Sequence, residues 1–249
     1  MTAELRTEAV SKAFGGVQAL ADCSLTAPAG QITGLIGPNG SGKTTLFNVM
    51  TGYERIDAGH VYLGDQKITG AAPARVYGFG VGRTFQLTRV FPRLTVLENM
   101  LVPAQRRWSG RHHRQRALDL LAFVGIAHHA GALAGTLSYG QRKLLELAYV
   151  LVADPAVVLL DEPAGGVNPT LIQHIADRIR ELNKEGRTFL IVEHNMDFVM
   201  GLCHRVTVLD SGTVVASGPP DEIRANPRVL DAYLGTDTGG DDRDDEAGR

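Results

Sequence analysis

The nine residues from Gly37 to Thr45, GPNGSGKTT, constrain the fold of this chain more than any other stretch. They fit the pattern G-x-x-x-x-G-K-S/T, in which glycines let backbone N–H groups converge on phosphate oxygens and a helix N-terminus adds a favourable dipole. The flanks agree with that reading. Gln31-Ile-Thr-Gly-Leu-Ile36 reads as a short buried strand, and a helical pattern begins near Gly42 and carries Leu46, Phe47, Val49 and Met50. Strand, glycine loop and helix in this order predict a phosphate cradle made of Gly37, Pro38, Asn39, Gly40, Ser41, Gly42, Lys43, Thr44 and Thr45. Lys43 is expected to reach the β- and γ-phosphates of a nucleotide, and Thr44 to ligate Mg²⁺. A glycine turn that binds nothing is the bland alternative, and the strand and helix on either side weigh against it.

A second element has the chemistry to serve such a cradle. Val157-Val-Leu-Leu160 is a continuous apolar run, suited to a fully buried parallel strand, and it ends in Asp161-Glu162-Pro163. Open α/β sheets bind ligands at the C-terminal ends of their strands. Asp161 is expected to hold Mg²⁺, directly or through water, and Glu162, next along, to polarise an attacking water. An isolated Asp-Glu pair would ordinarily be read as solvated strand-end acids; beside a phosphate cradle that reading is weak.

Around these two elements the pattern is that of an α/β chain. Leu5 to Val10 and Leu20 to Ala27 read as strands, the second closed by Pro28-Ala29-Gly30, and Val61 to Leu63 is expected to pair with them. Residues from about 90 to about 153 carry helical patterns. A helix is predicted from Pro169 to Glu185, with proline at its start and Gly186 at its end. Thr188 to Val192 is a strand ended by Glu193-His194, and Arg205 to Leu209 with Thr213 to Ala216 form a hairpin about Ser211-Gly212. This order predicts a parallel sheet core, an antiparallel β subdomain at the N-terminus and a helical subdomain inserted in the middle. The folded unit is expected to span 1–235. Residues 236–249, rich in Gly and Asp with nothing apolar larger than Ala, are expected to be a disordered acidic tail.

Composition narrows the function classes. At 249 residues with 44% apolar side chains the chain can bury a sizeable core. A formal net charge of -2 and a pI near 6.4 give no global basic field, so no nucleic-acid partner is expected. Cys23 and Cys203 have no metal-ligand spacing and read as packed small hydrophobes of a reducing compartment. No run approaches the roughly 18 to 20 apolar residues of a spanning helix, so a membrane role is expected to come through a partner.

Leu137-Ser138-Tyr139-Gly140-Gln141, about twenty residues ahead of Asp161, resembles the LSGGQ signature of the ABC ATPase family, with Tyr139 where the family has glycine. The cradle, so placed, resembles that of a P-loop NTPase of this family. Further elements resemble the family's in the same order: Gln86 in RTFQ its Q-loop glutamine, His194 in IVEHNMD its switch histidine, and Phe14 its adenine-stacking aromatic. Gly165-Gly166-Val167-Asn168-Pro169 stands where the family's D-loop lies, with Asn168 in place of Asp. The resemblance covers about Leu5 to Gly235. It implies ATP and Mg²⁺ as ligands, with Gln86 near the metal and His194 contacting the γ-phosphate while holding Glu162 and the water in line. It also implies a shared site. Ser138, Gly140 and Gln141, at the start of a helix, would meet the γ-phosphate of ATP held by a second ABC ATPase subunit, so that two subunits sandwich two nucleotides.

Within the family the chain is most similar to the ATP-binding subunit of branched-chain amino-acid importers. The pointers are LSYGQ, GVNP, EHNMDFVMGLCHRVTVLDSG and the AYLG ending at Ala232 to Gly235. Such importers pair two ATPase chains, alike or different, with transmembrane permease subunits and a periplasmic or extracellular substrate-binding protein. The expected location is therefore peripheral, at the cytoplasmic face of the cell membrane. Relatives serving urea import or lipopolysaccharide export share much of the pattern. Soluble ABC ATPases acting on DNA or ribosomes carry a long coiled-coil insertion or two cassettes, and a metabolic P-loop kinase would leave Ser138, Gln86 and His194 unexplained. The basic cluster of Arg106, Arg107, Arg111, His112, His113, Arg114 and Arg116 around Trp108 reads as a solvated loop, with contact to anionic lipid or a partner as the alternative. The pairs His112-His113 and His128-His129 read as surface residues.

Overall fold

The computed structural model describes residues 3–102 and 111–234. Arg106, Arg107, Trp108 and the acidic tail lie outside the described residues. In chain order the strands are β1 (Leu5–Phe14), β2 (Val17–Ala27), β3 (Ile32–Ile36), β4 (Ala58–Leu63), β5 (Gln66–Lys67), β6 (Val81–Arg83), β7 (Val157–Asp161), β8 (Thr188–Val192), β9 (Arg205–Asp210) and β10 (Thr213–Gly218). The helices are α1 (Lys43–Met50), α2 (Pro73–Gly78), α3 (Val96–Leu101), α4 (Arg111–Phe123), α5 (Tyr139–Leu151), α6 (Pro169–Lys184), α7 (Met196–Leu202), α8 (Pro220–Arg224) and α9 (Pro227–Leu234).

Among the described residues the strands form two sheets, one of order β10-β9-β3-β8-β7-β6 and one of order β2-β1-β4-β5. In the first, β9, β3, β8, β7 and β6 run parallel and β10 closes the edge as an antiparallel hairpin strand. Every residue of β3, β7 and β8 is buried, which is why their sequences ITGLI, VVLLD and TFLIV read as unbroken apolar runs. The pleat then sorts alternate residues to opposite faces. Ile32, Ile36, Val158, Leu160, Phe189 and Ile191 join the core under the helices, while Leu35, Val157, Leu159, Leu190 and Val192 join the core under the antiparallel sheet and α1. In register, Asp161 lies beside Val192 and Ile36 beside Val208. The residues that follow β3, β7 and β8, namely Gly37, Glu162 and Glu193-His194, therefore leave the sheet at the same end.

The expected antiparallel part is the second sheet, with β4 paired to β1. Its strands run longer than the sequence suggests, to Phe14 in β1, because shifts in register after Thr7 and Val10 absorb irregular spacing and blur the alternation. The helical stretch resolves into α3, α4 and α5. Thr95 and Glu98 cap α3 reciprocally, each side chain accepting from the other's backbone N–H. Arg116 of α4 donates to the carbonyls of Leu151 and Val152 at the C-terminal end of α5 and pairs with Asp154. The predicted helix from Pro169 becomes α6, with Glu185 as its C-cap and Gly186 at φ +96° just beyond.

Two expectations need correction. The described part of the basic cluster, residues 111–116, begins α4 in keeping with the helical pattern over 90–153 and is not a solvated loop, and His113, read as a surface residue, is buried on α4, while His129 is half-buried with its Nε2 2.9 Å from Nε2 of Gln141. Burial of α4 against α3 and α5 is the physical reason, since Ala117, Leu121 and Val124 are fully covered and draw that face of the helix inward. The two cysteines are free and buried, and burial pushes both thiols up to about 12.

Candidate functional site

The loop between β3 and α1 has a conformation only glycine tolerates at its two ends. A Cβ on Gly37 would lie 1.9 Å from the Leu209 carbonyl oxygen, and one on Gly42, at φ +103°, 2.5 Å from that of Ala19. Gly42 is the N-cap of α1, and its carbonyl accepts the first helical bond, from Leu46. The amides of Lys43, Thr44 and Thr45 therefore have no partner inside the helix and stand at its positive end. Lys43 is buried, and its Nζ donates to the carbonyls of Gly37 at 2.7 Å and Pro38 at 2.8 Å. Burial lowers its pKa, while Glu162 and Asp161 pull it back up. The loop thus leads into the free amides of the α1 start, with the Lys43 ammonium folded across the carbonyls of Gly37 and Pro38. Phe14, half-exposed under the Lys12 ammonium, sits on the hairpin whose other strand lies against Gly42.

At the end of β7 the structure brings three predicted residues together. Gln86 Nε2 donates to Glu162 Oε2 at 3.1 Å, and His194 Nε2 lies 3.3 Å from Glu162 Oε1. Glu162 itself sits at φ +49°, where a side chain costs about 1–3 kcal/mol. Beside it, Asp161 Oδ2 pairs with Arg83 Nη2 at 3.2 Å, both side chains being less than a tenth exposed. Arg83 Nη1 also donates to Asn48 Oδ1 and Thr51 Oγ1 of the P-loop helix and its C-cap. Burial raises the Asp161 carboxyl above its ordinary range, against the opposing pull of Arg83.

Ser138, Gly140 and Gln141 are placed elsewhere. Ser138 is the N-cap of α5 and forms a capping box with Gln141, whose side-chain amide also touches His129. Ser138 and Gln141 line a groove with Asn168, Thr170, Leu171 and His174 of the α6 start. Gly140 lets α5 close on α6, because a Cβ there would lie 2.3 Å from Leu171 Cδ2. Inside the chain, Gln141 therefore serves the helix start.

Sequence reasoning missed Arg83, Lys143, Glu146 and Glu193. All are charged groups with at least one partner well separated along the chain. Glu193 accepts from the N–H groups of Ala164, His194 and Asn195 and so ties the His194 turn to the loop after Glu162. Glu146 accepts from Phe85 N, one residue before Gln86. The one available signal was the presence of Lys143 and Glu146 inside the apolar run of KLLELAYVL.

A glycine loop leading into a helix from a parallel sheet, a carboxylate clasped at the end of a strand two places along that sheet, and a capped helix start at LSYGQ match the layout of an ATP-binding cassette. The ABC transporter family model matches residues 20–165, and the chain belongs to that family. It is an ATPase. A second model, described as branched-chain amino acid ATP-binding cassette transporter, matches residues 213–238. The chain is 39% identical to the high-affinity branched-chain amino acid transport ATP-binding protein LivG of Escherichia coli K12, covering 89% of this chain and 94% of the relative. It is 36% identical to a probable LivG of Methanocaldococcus jannaschii, with 93% and 97% covered. A crystal structure of a nucleotide-free ATP-binding cassette from an ABC transporter superposes with a TM-score of 0.86 at 35% identity, covering 94% of this chain and 99% of that one. A dimeric bacterial ABC transporter cassette superposes with a TM-score of 0.79 at 26% identity, with 87% and 98% covered. Among the described residues no helix is long and apolar enough to cross a membrane.

Proposed function

We propose that the chain drives import of branched-chain amino acids, as one of two paired ATPase subunits at the cytoplasmic face of the membrane, beneath a permease fed by a substrate-binding protein. The clasp on Glu162 at the end of β7 carries the hydrolytic part of this reading. A carboxylate has about four lone-pair sites, so with one oxygen turned to Gln86 and the other to His194 it still has acceptor capacity for a water. Glu162 takes the proton of the attacking water, and Gln86 and His194 fix the carboxylate's aim. The amides of the 37–45 loop and Lys43 receive the β- and γ-phosphates, and Phe14 stacks on the adenine.

Thr44, Gln86 and Asp161 offer a hydroxyl, an amide carbonyl and a carboxylate. This all-oxygen set fits Mg²⁺ that is shared with phosphates and water rather than caged by protein. When bound, the ion neutralises charge that develops on the phosphate oxygens. Ser138, opening onto a groove lined by Val124, Gly125 and residues of α5 and α6 rather than by the chain's own 37–45 loop, serves with Gly140 the γ-phosphate held by the partner subunit.

The similarity to LivG proteins and the match over residues 213–238 support branched-chain amino acids as cargo. Uptake of labelled leucine, isoleucine and valine in cells whose only copy carries Glu162→Gln tests it. Uptake is expected to fall to background. Undiminished leucine uptake with loss of urea uptake would assign the chain to a different cargo.

A further inference from the structure

We propose that Lys143, on the signature helix, is a positioning residue that holds the Glu162 peptide in its left-handed conformation and so keeps the carboxylate aimed at the attacking water. The inference rests on the reading of Glu162 as the proton acceptor. The Glu162 peptide is gripped at three points. Its N–H donates to Val192 O at 2.9 Å, and its carbonyl accepts from Gly165 N at 3.1 Å and from Lys143 Nζ at 2.7 Å. The Lys143 bond is the strong one, because its donor carries a full charge and the residue is only 7% exposed. With φ at +49°, the direction of the Glu162 side chain depends on the peptide staying where it is. Relaxation to the ordinary negative φ would swing Cβ away from Gln86 and His194.

Lys143 does not act from an arbitrary place. Tyr139, Lys143 and Glu146 share one face of α5 at i, i+4 and i+7; the first two reach the loop that follows β7, and the third reaches the segment before Gln86. A Cβ on Gly166, in the loop after Glu162 and at φ +70°, would press on Tyr139 Cε1 at 3.1 Å, so that ring lies close against the loop. Glu146 Oε1 accepts from Phe85 N at 3.0 Å, beside Gln86. The helix whose first residues meet the partner's nucleotide is thereby tied, in the same chain, to the carboxylate that acts on its own.

The test is a double-mutant cycle. Lys143→Met keeps length and loses the donor, and is expected to lower kcat by about 10- to 100-fold, the scale of a misplaced catalytic group, with the KM for ATP within about twofold. Lys143→Arg keeps a cationic donor and should recover part of the loss. In a Glu162→Gln background, which lacks the base already, Lys143→Met should change the residual turnover by less than about twofold, since groups that act as a unit are not additive. Equal fold-losses in both backgrounds, or an unimpaired kcat in Lys143→Met, would overturn the proposal. Should Lys143→Met not fold, Lys143→Gln carries the same cycle, with ATP titration confirming a folded cradle. Parental turnover in Glu162→Gln alone would overturn the reading of Glu162 and this proposal with it. An inactive Glu162→Gln beside a fully active Lys143→Met would overturn the proposal only.

Discussion

Glu162 is held through its backbone by contacts that do not depend on its charge, and the role proposed for it depends on that charge. Glu162→Gln retains the size of the side chain and leaves an oxygen for Gln86, but has no basic oxygen to take a proton. Turnover is expected to drop by about 10²- to 10⁴-fold with ATP affinity unchanged, measured as phosphate release beside a binding titration. Glu146 is a second carboxyl set by its surroundings. Burial pushes it from 4.5 up to about 7, against the pull of the Phe85 N–H and the Lys143 ammonium. The folded chain then holds this proton more tightly than the unfolded chain, so the group's contribution to stability is fully present below pH 4.5 and is lost as pH rises to about 7. At about 1.4 kcal/mol for each tenfold difference in proton affinity, the loss is roughly 3 kcal/mol. Glu146→Gln keeps an acceptor for Phe85 N and should flatten the pH dependence across that window. Denaturant unfolding without nucleotide, at a series of pH values, reads it; an unchanged slope in the variant would show that burial does not hold this proton.

Elements that carry their own signal were legible before the structure. The 37–45 loop announces itself through glycines that only one backbone path requires, and β3, β7 and β8 through apolar runs that only two-sided burial explains. β6 gave no such signal. It is three residues long and includes Gly82, which is there because a Cβ would meet Val150 Cγ1 at 2.5 Å, a contact with α5 some seventy residues away. Arg83, the end of that strand, is invisible for the same reason, since its partners Asn48, Thr51 and Asp161 meet only in the folded chain. The basic residues before α5 misled in the other direction. Arg116, one of a cluster that looks like a solvated loop, closes the far end of the signature helix through the carbonyls of Leu151 and Val152. Arg116→Ala removes both bonds and the cation beside the helix's negative end, and is expected to cost about 1–2 kcal/mol. In a chain of this size that is a fall in Tm of roughly 2–8 °C, readable by thermal scanning, and no change at all would mean the last turn of α5 needs no cap.

For the whole molecule, the proposed function assigns the Ser138 groove, which no residue of the 37–45 loop lines, to the nucleotide of a second copy. Ser138 caps α5 over a groove lined by Asn168, Thr170 and His174, while Lys43 folds over Gly37 and Pro38 at the end of the parallel sheet. On that proposal, a site that needs both is completed when the α5 terminus of one copy meets the loop of another. Ser138→Arg puts a bulky cation at that terminus while leaving the cradle untouched. The variant is expected to bind ATP as a monomer with near-parental affinity, to fail to dimerise with ATP in a Glu162→Gln background, and to hydrolyse at background rate. Lys43→Ala fails for the complementary reason, through lost phosphate contact in its own cradle, with binding weakened by about 10-fold or more. In a mixed dimer of the two variants, the Lys43→Ala cradle faces the Ser138→Arg terminus, so both defects fall in one composite site. The other site is built from a native cradle and a native signature. Mixing two inactive proteins should therefore return activity, up to half of the parental rate per dimer if the sites turn over independently, with a maximum near equal ratios. A mixture as inactive as its parts, together with light scattering that shows mixed dimers forming, would mean that neither site turns over unless both are whole. Parental activity of Ser138→Arg alone would mean that the terminus of α5 does not face a nucleotide at all.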